Sequence, residues 1–90
     1  MGIYVGPLRT LLPGEHWGYP HDTVCHLMAD DDDELEQFAR KLKCRRSWRH
    51  GDHYDLTRNK RRQAITAGAI EVSDRQLVQL RKSRAALEDK

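Results

Sequence analysis

No apolar run in this sequence approaches the ~20 residues a membrane helix needs, and the first residues lack the hydrophobic stretch of a leader. Those absences argue against insertion in a bilayer and against secretion. Gly6 stands where a myristoylation signal would place Ser or Thr, which argues against a lipid anchor. Only two cysteines occur, Cys25 and Cys44, without any CxxC pairing. That spacing offers no zinc ribbon and at most one disulfide, and the two thiols read as buried or half-buried reduced side chains of a cytoplasmic protein. The chain also has no GxGxxG, no GxxxxGK[ST] and no HExxH, which removes the common dinucleotide, phosphate-loop and zinc-protease signatures. Nor is there a strong excess of one charge: the formal balance is +2.

What is present is a 90-residue chain, 38% hydrophobic and 33% charged. That length fits a single domain spanning 1–90 with a small core. The charges are unevenly spread. Six of the seven residues Asp30 to Glu36 are acidic, whereas Arg40 to Arg62 holds ten Lys/Arg against two Asp. A folded surface would then carry a positive zone able to attract phosphates.

Periodicity gives the elements. Ile3-Tyr4-Val5 is β-prone and stops at Gly6-Pro7. Residues 6–22 contain all three prolines and three of the six glycines, together with Trp17 and Tyr19, and read as a long loop able to cover a site. Thr23 to Met28 is nearly continuous apolar sequence, as in a central strand buried on both faces. Leu35, Phe38, Ala39 and Leu42 recur at helical spacing over about 32–43. Cys44 to Asp52 reads as a polar connection, and His53 to Leu56 as a short strand or extended turn. Thr57 is a candidate N-cap for a helix from Arg58 to Ala67, stopped by Gly68. Ala69 to Val72 alternates like a strand. Ser73-Asp74-Arg75-Gln76 is a capping box opening a last helix that carries Leu77, Leu80 and Leu87, with fraying expected over 84–90.

Strands alternating with helices predict an α/β domain: a short, mainly parallel sheet of three to four strands with about three helices, in two or three layers. In such a sheet the positions after Val5, Met28 and Val72 would converge on one ligand-binding rim.

The sharpest local feature is His53-Tyr54-Asp55. In an extended conformation His53 and Asp55 share a face. With His26 near the end of the second strand and Asp30 just past it, His26, Asp30, His53 and Asp55 form a set suited to Zn or Mn, or to acid–base work. The plainer reading makes Asp55 a helix-start residue, Tyr54 a packing residue and His53 a satisfied polar group. The run Asp30 to Asp33 lacks the alternation and internal Gly of a calcium loop, and serves a helix N-terminus instead. Arg45, Arg46 and Arg49 interleave with Trp48, a pattern that suits a phosphate with a stacked base. Arg58, Lys60, Arg61 and Arg62 read as a solvated helix face. A Cys25–His26 nucleophilic pair is disfavoured because neighbouring strand residues point to opposite faces.

Taken together, Ile3-Tyr4-Val5, His26-Leu27 with Ala29-Asp30, and Glu34-Leu35 with Phe38-Ala39 form a recognisable series. It continues through Trp48, His53-Tyr54-Asp55-Leu56, Gly68-Ala69 and Glu71-Val72-Ser73. The series resembles a bacterial and phage family known only as domain of unknown function 4031. Its members carry an acidic residue directly after the Tyr-Val strand, where this chain has Gly6. The resemblance implies no activity.

Three functions follow as expectations. The first is a module binding a phosphate-bearing small ligand such as a nucleotide, through His26, Arg45, Arg46, Trp48, His53 and Tyr54. The second is a small metal-dependent hydrolase using a divalent ion on His26, Asp30, His53 and Asp55. The third is a nucleic-acid or host-protein interaction module. No membrane partner is expected, and no feature of the sequence sets an oligomeric state.

Overall fold

A computed structural model describes residues 2–14 and 22–88. The elements are strands β1 (Ile3–Val5), β2 (Arg9–Thr10) and β3 (Thr23–Ala29), helix α1 (Asp32–Lys41), and a 3-10 turn at Arg46–Trp48. Strands β4 (Arg49–His50) and β5 (His53–Leu56), helix α2 (Arg58–Thr66), strand β6 (Ile70–Glu71) and helix α3 (Asp74–Glu88) complete the chain. The expected Trp17 and Tyr19 loop segment lies outside the described residues. Within the span read as loop, Arg9 and Thr10 pair with Val24 and Thr23.

The sheet corrects the expectation of a mainly parallel array of three to four strands. The described residues form six strands, in the order β4-β5-β3-β1-β6 with β2 also on β3. Among the described residues only the β1–β6 pairing is parallel, and β1–β3, β2–β3, β3–β5 and β4–β5 are antiparallel. The physical reason lies in the connections. Each helical crossover does return the chain in its original direction: β3-α1-β4 and β5-α2-β6 both join strands that run the same way. Two reversals without a helix, β1 to β3 and β4 to β5, place oppositely directed strands between them. The end of β1 and the end of β3 therefore lie at opposite edges, since Ile3 faces Ala29 and Val5 faces Leu27. The positions after Val5 and Met28 do not share a rim. Those after Val5 and Val72 do, with the Val72 N–H donating to the Val5 carbonyl at 2.9 Å.

Alternation sorts the sheet into two faces. Val5, Cys25, Leu27, Ala29, Tyr54 and Leu56 face α1 and α2, and pack on Leu35, Phe38, Ala39, Leu42 and Ala64. Helix α1 is capped by Asp31, whose side chain accepts from the Glu34 N–H. Helix α2 is capped by Thr57, which accepts from Lys60 N–H at 3.1 Å. The predicted capping box of α3 is present, with Ser73 and Gln76 exchanging hydrogen bonds at 2.9 and 3.2 Å. This helix lies over the other face, where its buried Leu77 approaches Gly6. A Cβ on Gly6 would come within 2.5 Å of Leu77 Cδ1, so glycine at this position lets α3 dock.

An ion-pair network ties α1 to the sheet edge and to α3. Arg49 binds Glu36 and also reaches Asp32 at 2.9 Å, while Arg84 reaches Asp32 at 2.8 Å. The Arg49 guanidinium holds the Glu36 carboxyl below its ordinary range, and Arg84 does the same for Asp32. A depressed carboxylate contributes stability that is present above its unfolded pKa, about 4, and lost as pH falls through the folded value. Arg49→Met should therefore flatten the acid limb of the stability profile. Urea unfolding at pH 6 and pH 3 tests this, the difference between the two pH values being smaller in the variant than in the wild type.

Candidate functional site

The site is a by-product of the core register. Leu27 opposes Tyr54 and Cys25 opposes Leu56, all four buried. Because side chains alternate along paired strands, burying those two pairs turns the intervening residues outward together. His26 and Asp55 are thus directly opposed on the α3 face, and His53 joins them two residues before Asp55. The β4–β5 hairpin adds His50 opposite His53. Its turn is Gly51-Asp52, with Gly51 at φ 64°, a conformation that favours glycine.

Three ligand-type atoms converge here. His26 Nε2 lies 3.6 Å and His53 Nε2 3.5 Å from Asp55 Oδ1. One such atom from each residue falls within 4.8 Å of the others, the one group of this kind found among the described residues. The two rings sit 4.3 Å apart, tilted by 41°. For a tetrahedral ion with bonds of about 2.0–2.1 Å, neighbouring ligand atoms are about 3.4 Å apart, so the two histidine–carboxylate spacings approach what an ion would require. His50 Nε2 contacts the other Asp55 oxygen at 3.1 Å.

The surroundings shift the three groups in different directions. Burial lowers the His26 pKa, and the neighbouring charge of His53 lowers it further. Burial also acts to lower that of His53, but hydrogen bonds to Asp55 and Asp52 outweigh it and the pKa rises. For Asp55, burial would raise the pKa; the hydrogen bond from His53 and the charges of His53, His50 and His26 bring it down. A neutral imidazole and an ionised carboxylate side by side are the forms that bind a cation. His53 Nδ1 lies 3.1 Å from Asp52 Oδ1, and Arg81 Nε donates to Asp52 Oδ2 at 2.9 Å.

The structure brings together three of the sequence-derived candidates: His26, His53 and Asp55. Asp30 lies four residues farther along, just beyond β3, and accepts from the Tyr4 hydroxyl at 3.1 Å. Tyr54 faces the core, and its hydroxyl donates to Glu36 at 3.0 Å. Trp48 is half-buried against the core. Arg45 and Arg46 are exposed, and the charge of Arg46 acts on Glu36, on the α1 side. Cys25 is buried away from His26, and burial pushes its thiol up to about 12, which leaves no nucleophilic thiolate. Sequence reasoning missed His50, Asp52 and Arg81. The two-residue Gly-Asp turn was a signal for the first two. Arg81 reaches the site from a helix 28 positions away in sequence, and no local pattern marks it.

Comparison with known proteins gives a bounded result. Neither a search of the curated proteins nor one of the solved structures returned a match. The family described as protein of unknown function DUF4031 matches residues 3–84, which includes all three capped helix starts, the described sheet and every residue of the cluster. The chain belongs to the DUF4031 family.

Proposed function

We propose that this domain is a metal-dependent hydrolase, with a divalent ion such as zinc or manganese held by His26, His53 and Asp55. One observation carries the reading: two imidazole nitrogens lie 3.5–3.6 Å from a single carboxylate oxygen, on paired strands. Three protein ligands would leave a coordination position open, as catalytic rather than structural zinc sites do. An ion held by these residues would act as a Lewis acid and would make a water molecule more acidic, so that a nucleophile would be available near neutral pH. Arg9 and Arg81 both act on His26 through their positive charge, which favours an anionic substrate such as a phosphoester. The alternative of a nucleotide-binding module has less support. It relies on Tyr54, which faces the core, and on Arg46, whose charge is felt at Glu36 on the opposite face.

The test uses protein purified without an affinity tag, assayed for bound metal and for turnover of 4-nitrophenyl phosphate and bis(4-nitrophenyl) phosphate. Zinc, manganese and magnesium are each supplied in turn. The reading expects one ion per chain and hydrolysis of at least one ester that a chelator abolishes. Ion binding without turnover of either ester would overturn the hydrolase assignment, and no ion binding would overturn the whole of it.

A further inference from the structure

The His53 ring has a second nitrogen, and what holds it lies outside the three-residue cluster. Nδ1 has two neighbours of opposite character: Asp52 Oδ1 at 3.1 Å, which can only accept when ionised, and an Arg81 terminal nitrogen at 3.3 Å, which can only donate. An imidazole that binds a cation through Nε2 must keep its proton on Nδ1. Of the two neighbours, only Asp52 accepts that proton. Arg81 in turn grips the other oxygen of Asp52 through Nε at 2.9 Å, and so holds the carboxylate beside His53.

We infer that Asp52 and Arg81 are positioning residues for the ion site: Asp52 orients His53, and Arg81 carries the placement of helix α3 into the site. This rests on the metal reading above. The geometry is that of the carboxylate–histidine–metal arrangement, in which the outer carboxylate fixes the ring and raises its basicity. Here the outer carboxylate is itself anchored from a separate element. Helix α3 contributes Leu77 to the core and is tied to the rest of the molecule at Arg81 and again at Arg84, one turn on, which binds Asp32 at 2.8 Å. Both arginines fasten the same helix; Arg81 does so on Asp52 and beside His53, Arg84 on Asp32. By reciprocity, an ion bound at the cluster strengthens the hold on α3 as much as α3 strengthens the hold on the ion.

That contrast supplies the experiment. Zinc affinity is measured by calorimetry for the wild type and for Asp52→Asn, Arg81→Ala, Arg81→Lys and Arg84→Ala. The visible absorption of the cobalt-loaded proteins reports coordination geometry. Asp52→Asn and Arg81→Ala should weaken zinc binding about 10–100-fold and change the cobalt spectrum. Arg81→Lys should recover part of the affinity, because an ammonium still pairs with Asp52. Arg84→Ala should bind within a few-fold of wild type with an unchanged spectrum, although it loosens the same helix. Wild-type affinity in both Asp52→Asn and Arg81→Ala would overturn the inference and leave the metal reading standing. So would an equal loss in Arg84→Ala and Arg81→Ala, which would make helix docking alone responsible. A wild type that binds no zinc defeats both.

Discussion

Replacing His53 with alanine should weaken zinc binding by on the order of a hundredfold or more, because it removes a ligand and not merely a residue that orients one. His53 is the most enclosed of the three histidines around Asp55, with a side chain 15% exposed against 31% for His26 and 43% for His50. It is also the residue at which the sheet, the hairpin turn and α3 meet. His50→Ala should have a smaller effect, since His50 contacts Oδ2 of Asp55 rather than the Oδ1 shared by His26 and His53. The difference is measurable as thermal stability. Zinc at a hundred times its dissociation constant adds about 2.7 kcal/mol to folding. For a domain of this size that raises Tm by roughly 10–20 °C. The wild type should show the rise and His53→Ala should not. Equal rises in the two proteins would mean that zinc binds somewhere else.

Leu27→Ala should be the most damaging single change to the fold. Leu27 is fully buried at the centre of β3, opposed by Val5 on one side and Tyr54 on the other, within the cluster that joins the sheet to α1 and α2. Truncating a buried leucine costs about 2–5 kcal/mol, part lost transfer energy and part residual cavity. Small domains hold only about 5–15 kcal/mol in total, so the variant should lose a large share of its stability. Val78→Ala is the control: that side chain is 48% exposed on α3, and its loss should shift stability by no more than about 0.5 kcal/mol. Urea midpoints at constant m-value give the comparison. A Leu27→Ala midpoint close to wild type would show that the core is not centred on β3. Because Leu27 also sets the register that turns His26 outward, the same variant should bind zinc less tightly even where it remains folded.

The two most legible parts of the chain were its caps and its periodic segments. Asp31, Thr57 and Ser73 each stand where a helix begins and each accepts the expected backbone hydrogen bond, because capping is a contact between residues three apart. The apolar stretch from Thr23 to Met28 likewise identified a central strand, observed over Thr23–Ala29, since near-continuous apolar sequence leaves little polar alternation to mislead. The direction of the strands was not legible. A crossover rule applied to consecutive elements takes spatial neighbours to be sequence neighbours. Here the two-residue turn at Gly51-Asp52 folds β5 back between β3 and β4. Read as a hairpin signal, that dipeptide would have given the antiparallel pairing and brought His50 into the site. The pairing of His26 with Asp55 follows from long-range register, which depends on which apolar residues face one another across the sheet. Tyr54 shows the complementary lesson: a residue between two site residues on a strand faces the core, here toward Glu36. The contribution of Arg81 depends on where α3 docks, and docking turns on the close approach of Leu77 to Gly6.

The ion at the paired-strand cluster is the central claim, and diffraction from zinc-soaked crystals, recorded at the zinc absorption edge, tests it most directly. The account predicts one anomalous peak per chain, about 2.0–2.2 Å from His26 Nε2, His53 Nε2 and an Asp55 oxygen. An anomalous map with no peak among these three residues, or with its peak on other side chains, would contradict it.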